Sequence, residues 1–460
     1  MRTTSIAAGL VAVFGPAVAA LAQCPVERLL PPAEQDYGDF GQRVAILGDR
    51  VLVADDAAAT LCPIVFDCAT GAVYDFRLID GRWERVQRIL PPDVQQGDRF
   101  GSSMDLDGDR LIVGAGFADL AAPDTGGAYV YDFDGTQWVE TGRIPPPRPI
   151  FGNQFGRRVI IDRDIALVQQ GGSLFVFNEE TSGQWVLHDE LRTPDGEGEY
   201  FGGHSNVLTN DWLFVGTPFD DSIATSGGSV YVFRREGPAE FVFHEKIDAP
   251  RAEEGPRFGT ALAFEAGQLF IGAVNAHRAF EFQGVVYRYE YDGSAWIQRQ
   301  EIQHRNPASD DNFGDSLAVQ DGTLIVGASG ADPVPIWSIG AVMVFTRGVD
   351  GDWLERLRLR PDLETGPFGV AVDLDGTRMV AGSPSERVGG APLGGAHVFD
   401  LACEICPADL DADGALTIFD FLTYLNLFQD GDALADFDGD GVLTIFDFLA
   451  FQDVFDAGCD

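Results

Sequence analysis

Between residues 100 and 144 apolar and polar positions alternate in four short runs. "MDLDGDRLIVGA" turns on a Gly-Asp pair, a variable polar stretch follows, and "GGAYVYDF" and "WVETGRI" complete the unit. Period-two alternation punctuated in this way predicts antiparallel strands joined by tight turns. The order recurs as "LFVGT", "SVYVF" and "FVFHEKI", then as "LIVGA", "AVMVF" and "WLERLRL". Each copy opens on Phe-Gly, at Phe40, Phe100, Phe155, Phe201, Phe258, Phe313 and Phe368, with spacings of 60, 55, 46, 57, 55 and 55 residues. Seven four-stranded copies predict the blades of a β-propeller. A β-helix needs shorter coils, and a helical solenoid needs a 3.6-residue period that these segments lack.

The seventh copy stops after its third strand, "GGAHVFDL", and runs into cysteines instead of a fourth strand. The missing strand is at the other end, where "VERLLPPAEQDYGDFG" from Val26 parallels "VQRILPPDVQQGDRFG" from Val86. An N-terminal strand that completes the last blade removes the open edges of the ring. The fold expected is therefore mainly β, a seven-bladed propeller over residues 23–404 closed by an N-terminal strand. The repeated Phe is expected in the core between blades, with Trp83, Trp138, Trp185, Trp296 and Trp353 packing on fourth strands.

Charge narrows the partners. The chain has 31 basic and 72 acidic residues, a net charge of −41, so its field repels nucleic acid and anionic membranes. Arg2, the apolar run Ile6 to Ala19 and Ala20-Leu21-Ala22 before Gln23 read as a signal peptide over residues 1–22. No later stretch is apolar enough to span a bilayer, which predicts a secreted or extracellular protein, free or attached at the cell surface. Six cysteines in an exported chain favour disulfides. Cys62 and Cys68 can staple one loop, and aligning the terminal strands brings Cys24 near Cys403.

Phe-Gly at the blade start, Val-Gly-Ala on the second strand and Gly-Ala/Ser-Val-Tyr-Val-Phe on the third resemble FG-GAP repeats, as in integrin α-subunit propellers. Calcium-binding repeats of that kind carry a long Asp-rich loop between the first two strands. Here "DLDGDR" (Asp105 to Arg110) and "DLDGTR" (Asp373 to Arg378) are hairpin-sized, and their Asp and Gly residues read as turn formers. Function is expected in the loops between second and third strands. These carry Asp119 and Asp124, Asp220 and Asp221, His277, Arg278 and Glu281, and Trp337. None forms a catalytic pattern, and no Gly-x-Ser-x-Gly elbow or phosphate-binding lysine loop occurs, so an enzyme is not expected.

The last 60 residues follow another rule. "DLDADGALTIFD" and "DFDGDGVLTIFD" place carboxylates at alternate positions, Gly at the sixth, a backbone carbonyl at the seventh and Asp at the twelfth, the requirements of an oxygen cage for Ca²⁺. The first supplies Asp409, Asp411, Asp413, the Ala415 carbonyl and Asp420, with Thr417 placed to hold a water. The second supplies Asp436, Asp438, Asp440, the Val442 carbonyl and Asp447, with Thr444 in the equivalent place. Each loop is followed by one predicted helix, with Phe421, Leu422, Tyr424, Leu425 and Phe428 on the first and Phe448, Leu449, Phe451 and Phe455 on the second at helical spacing.

This segment, assigned to residues 405–460, resembles a dockerin, a duplicated calcium loop–helix module that binds cohesin domains, and in particular the Cys-flanked dockerins of exported bacterial proteins. The resemblance implies two Ca²⁺ ions and a partner surface at Ile418, Phe419, Ile445 and Phe446. Cellulosomal dockerins often have small hydroxylated residues at those positions. The competing role for these four is to pack the two helices together. A Cys406–Cys459 clamp would leave Cys24 to Cys403, with Cys24–Cys406 the open alternative. The function expected is an exported binding or attachment protein. Its propeller meets an extracellular protein or glycan, and its tail docks to a cohesin-like or cell-surface protein. The alternatives are a tethered glycoside hydrolase or lyase, and a tail that serves as a sorting or processing signal.

Overall fold

The computed structural model describes residues 26–32, 38–58, 69–196, 201–331, 339–348, 351–361, 366–388, 390–404, 408–410, 416–431, 435–437 and 442–458. Six four-stranded antiparallel sheets follow one another along the chain. Blade two is typical, with strands Phe100–Asp107, Arg110–Ala115, Gly127–Phe133 and Trp138–Ile144. The seventh sheet is assembled from both ends: Val372–Asp375, Arg378–Ser383 and Gly395–Asp400 are joined by Glu27–Leu29. Its closing register pairs Glu27 with Val398, Arg28 with His397 and Leu29 with Ala396. The expected N-terminal closure is thus present.

The second strand of each blade is buried along nearly its whole length, because both faces meet a neighbouring layer. Their composition is correspondingly a continuous apolar run and not an alternation. Seven apolar clusters each span two successive blades, and the last of them joins blade seven to blade one. All seven repeated Phe side chains have no solvent exposure. Each lies near aromatic residues of its blade's third strand, as Phe258 does with Tyr287 and Tyr289 at ring separations of 5.6 and 6.3 Å. The Gly that precedes a third strand is fixed by the same contact. Gly284 (φ 81°) bridges Phe313 of the next blade, and a Cβ there would lie 2.1 Å from the Phe313 carbonyl oxygen. Trp138, Trp296 and Trp353 are buried, while Trp83 and Trp185 are half-buried.

One expectation needs correction. The turn in "DLDGDR" is made by Gly108 and Asp109, and the earlier Asp residues are not turn formers. Asp105 accepts the Ile161 N–H at 2.8 Å, and Asp107 accepts the Arg163 N–H at 2.7 Å, both across to blade three. Asp373 accepts the Ile46 N–H at 2.8 Å and Asp375 the Gly48 N–H, across the closure to blade one. First strands of neighbouring blades do not pair in one sheet, so carboxylates satisfy backbone donors that no neighbouring strand reaches. Burial raises Asp105 to about 6 and Asp373 to about 7.

Beyond the ring, α1 (Leu401–Glu404) is a single turn, followed by α2 (Ile418–Asp430) and α3 (Ile445–Ala457). Among the described residues no helix is long and apolar enough to cross a membrane.

Candidate functional site

The C-terminal helices start for a local reason. Thr417 and Thr444 are extended N-caps whose hydroxyls accept the Phe419 and Phe446 N–H groups, both at 3.1 Å. Asp420 and Asp447, three residues on, reach back to the Thr417 and Thr444 N–H groups at 2.8 and 2.7 Å. These reciprocal boxes satisfy donors that a helix start leaves open. Thr417 and Thr444, expected to be placed to hold a water, use their hydroxyls to cap these helices. Asp420 and Asp447 are fully buried, and Asp420 also accepts the Leu410 N–H at 2.8 Å. Asp411, Asp413, Ala415, Asp438 and Asp440 lie outside the described residues, as do Cys24, Cys62, Cys68, Cys406, Cys459 and the side chain of Cys403. The disulfide expectations and the N-terminal signal therefore fall there too.

The helices meet through Tyr424 and Phe451, whose rings stack at 4.2 Å with an interplanar angle of 8°. Phe421, Phe428, Phe448 and Phe455 pack around this pair. Ile418 and Phe419 take no part in that core: they are 62% and 63% exposed, and Ile445 and Phe446 are 61% and 65% exposed. Leu422, Leu425 and Leu449, assigned by spacing to the same apolar faces as Tyr424 and Phe451, are also exposed. The duplicated phrase thus sets two equivalent apolar trios, Ile418-Phe419-Leu422 and Ile445-Phe446-Leu449, at the starts of two helices. From residue 401 to 460 the chain has 14 Asp or Glu and no Lys, Arg or His.

On the propeller, Asp119, Asp220 and Asp221 each bind a backbone N–H of their own loop. Asp119 accepts the Asp124 N–H at 2.8 Å, and Asp221 accepts the Ser226 N–H at 2.6 Å. Buried Asp220 holds the Ser222 N–H at 2.9 Å and the sole lysine, Lys246, at 3.0 Å. Arg278 is clamped between Glu253 and Glu301, each at 2.6 Å. Trp337 lies outside the described residues.

Sequence reading missed the residues just after Phe-Gly. In every blade these line the axial channel, and in blades one and three they include Arg43, Arg157 and Arg158. Stacking the seven copies on their Phe-Gly pairs would have revealed them.

Comparison with known proteins agrees with the repeat. A family model described as FG-GAP repeat matches residues 83–131 and 296–345. Each match runs from the fourth strand of one blade through the third strand of the next, so the sequence repeat is offset from the blade by one strand. The chain carries FG-GAP repeats on a seven-bladed propeller. No curated protein matched the sequence. Among solved structures, a functionally unknown protein from Desulfotomaculum acetoxidans is similar at 13% identity and a TM-score of 0.44, over 69% of this chain and 84% of that one. A Bacteroides fragilis protein described as a candidate 6-phosphogluconolactonase is similar at 11% identity and a TM-score of 0.48, over 79% and 94%.

Proposed function

We propose that this chain is an exported binding protein. Its propeller presents loops to an extracellular ligand, and its C-terminal segment is a dockerin-like module that docks to a cohesin-like or cell-surface protein when calcium is bound. The observation that carries the docking half is the pair of exposed apolar trios at identical positions on α2 and α3. Six large apolar side chains left in water on so small a unit point to a partner surface.

Two features support calcium. The acidic loops lead directly into the buried carboxylates of Asp420 and Asp447, and hard oxygen donors of this kind suit a hard cation. With no basic side chain in the last 60 residues, the module has no internal counter-charge for its 14 acids. In this reading Asp409, Asp411, Asp413, the Ala415 carbonyl and Asp420 hold one ion. Asp436, Asp438, Asp440, the Val442 carbonyl and Asp447 hold the other. The ions would supply charge neutralisation that fixes each loop against its helix. Asp119, Asp220 and Asp221, already engaged with their own loop backbones, support binding over catalysis.

Calorimetric titration of calcium into the full chain tests the module. Two ions per chain are expected, with both lost in an Asp409→Ala, Asp436→Ala variant. Absence of calcium binding by the unaltered chain would sink the calcium reading.

A further inference from the structure

Several arginines in this protein have close acidic partners. Arg110 sits between Asp132 at 2.8 Å and Glu179 at 2.6 Å, and Arg143 contacts Asp93 and Glu140 at 2.7 and 2.5 Å. With 72 acidic residues for 31 basic ones, that is the expected outcome. One group of arginines gathers without such partners. At the channel mouth that carries the loops between second and third strands, Arg43, Arg99, Arg157 and Arg158 line a cavity of about 430 Å³. Among the described residues none of the four is in an ion pair.

Their hydrogen bonds leave most of their donors open. Arg158 donates to the carbonyl oxygens of His204 and Arg157 at 2.8 and 3.0 Å, and Arg43 donates to that of Gln42 at 2.8 Å. A guanidinium carries five N–H donors, so both keep several directed elsewhere. Arg43 and Arg158 each keep a solvent-facing edge, and burial pulls both below the usual arginine range; for Arg43 the charges of Asp56 and Asp315 oppose this while Arg157 adds to it, and for Arg158 the neighbouring Arg43 and Arg157 add to it against Asp56. Burial, then the surrounding arginines led by Arg158, pulls His204 down to about 4, which leaves the imidazole neutral at pH 7. Asp56, the one carboxylate lining the cavity, is itself raised by burial. Arg99 is set at the rim by a left-handed backbone (φ 54°), with its guanidinium 5.6 Å from the Phe117 ring.

A convergence of like charges in a recessed site destabilises the fold unless an anion joins it. We propose that this mouth binds oxyanions, specifically the sulfate or carboxylate groups of an acidic saccharide. Guanidinium forks match the paired oxygens of such groups. The remaining lining, the amides of Gln42 and Gln154, the Ser102 hydroxyl and the Phe117 ring, offers hydrogen bonds and a flat apolar surface to the sugar that carries them. The volume falls in the range of small-ligand pockets, roughly 300–1,000 Å³. The proposal rests on the loop-presenting reading of the propeller and is independent of the calcium reading of the tail.

The test is calorimetry on the full chain with four probes: a chondroitin sulfate tetrasaccharide, an oligogalacturonate tetrasaccharide, neutral maltotetraose and inorganic sulfate. At least one acidic saccharide should bind, with affinity falling as salt rises and about tenfold or greater weakening in Arg157→Gln. Arg157 is exposed, so the variant should fold; should it not, Arg99→Gln provides the same readout. Unchanged affinity in the folded variants overturns the site. Sulfate binding as tightly as the acidic saccharides overturns the saccharide assignment. Maltotetraose binding unaffected by Arg157→Gln overturns the arginine site while leaving the loop-presenting reading intact. No binding of any probe overturns the proposal.

Discussion

The propeller and the C-terminal module both repeat themselves, with opposite outcomes. In the propeller the repeated side chain is hidden: all seven Phe residues of the Phe-Gly pairs have no exposure. In the module the repeated Ile-Phe pairs are each more than three-fifths exposed. Every blade must meet its neighbour in the same way, so repetition into the core is architecture. Repetition into solvent has no packing cause. The module already has a separate core in Tyr424, Phe451 and their neighbours, so its duplicated apolar trios are free to serve something outside the chain.

Truncating a repeated core residue is the severest way to probe this contrast. Phe258→Ala should lose about 3–5 kcal/mol in denaturant unfolding, since it removes a ring buried against Tyr287 and Tyr289. A loss below about 1 kcal/mol would mean the blade contact is not the packing unit described. Gly284→Ala attacks the same joint from the backbone. With φ at 81° and the Phe313 carbonyl in the way, it should cost more than about 1 kcal/mol in the same assay.

The channel carboxylates give the next effect, and its sign follows from their raised values. Asp105 near 6 and Asp373 near 7 bind a proton more tightly folded than unfolded. Their contribution is therefore complete below the unfolded carboxylate range and is lost as pH rises through about 6 to 7. Between pH 8 and pH 5 the unaltered protein should gain on the order of 2 kcal/mol over an Asp105→Asn, Asp373→Asn variant. Parallel stability curves for the two proteins would refute the assignment. In the module, Thr417→Ala removes an N-cap and should cost that unit about 1 kcal/mol, read as lost helix protection in hydrogen exchange.

Much of this was legible in the chain itself. Phe-Gly spacing gave seven blades, and the likeness of the segments at Val26 and Val86 gave the closing strand. These succeed because local periodicity and a turn's chemistry act within one copy. What was illegible depends on contacts between copies. Nothing local tells that Asp105 reaches Ile161, or that Arg43 and Arg158 share a cavity although far apart in sequence. Helical spacing likewise grouped Leu422 with Tyr424, whereas a two-helix core is narrow enough to leave the leucine outside. The Ile-Phe pairs were ambiguous for that reason: apolarity alone does not say which side of a thin module a side chain occupies.

The smallest expected change in stability is therefore the most telling. Phe419→Ala with Phe446→Ala removes two aromatic rings, as drastic a chemical change as two core truncations. Yet both rings are exposed and outside the Tyr424–Phe451 stack, so the unfolding midpoint should shift by no more than about 0.5 kcal/mol. The capping boxes stay intact, because Thr417 and Thr444 use only the backbone N–H of these residues. Loss of calcium-dependent attachment to an isolated cohesin domain or to purified cell envelopes, without loss of stability, would separate surface from scaffold. A destabilisation comparable to Phe258→Ala would instead return the Ile-Phe pairs to the core and erase the distinction between the two kinds of repeat.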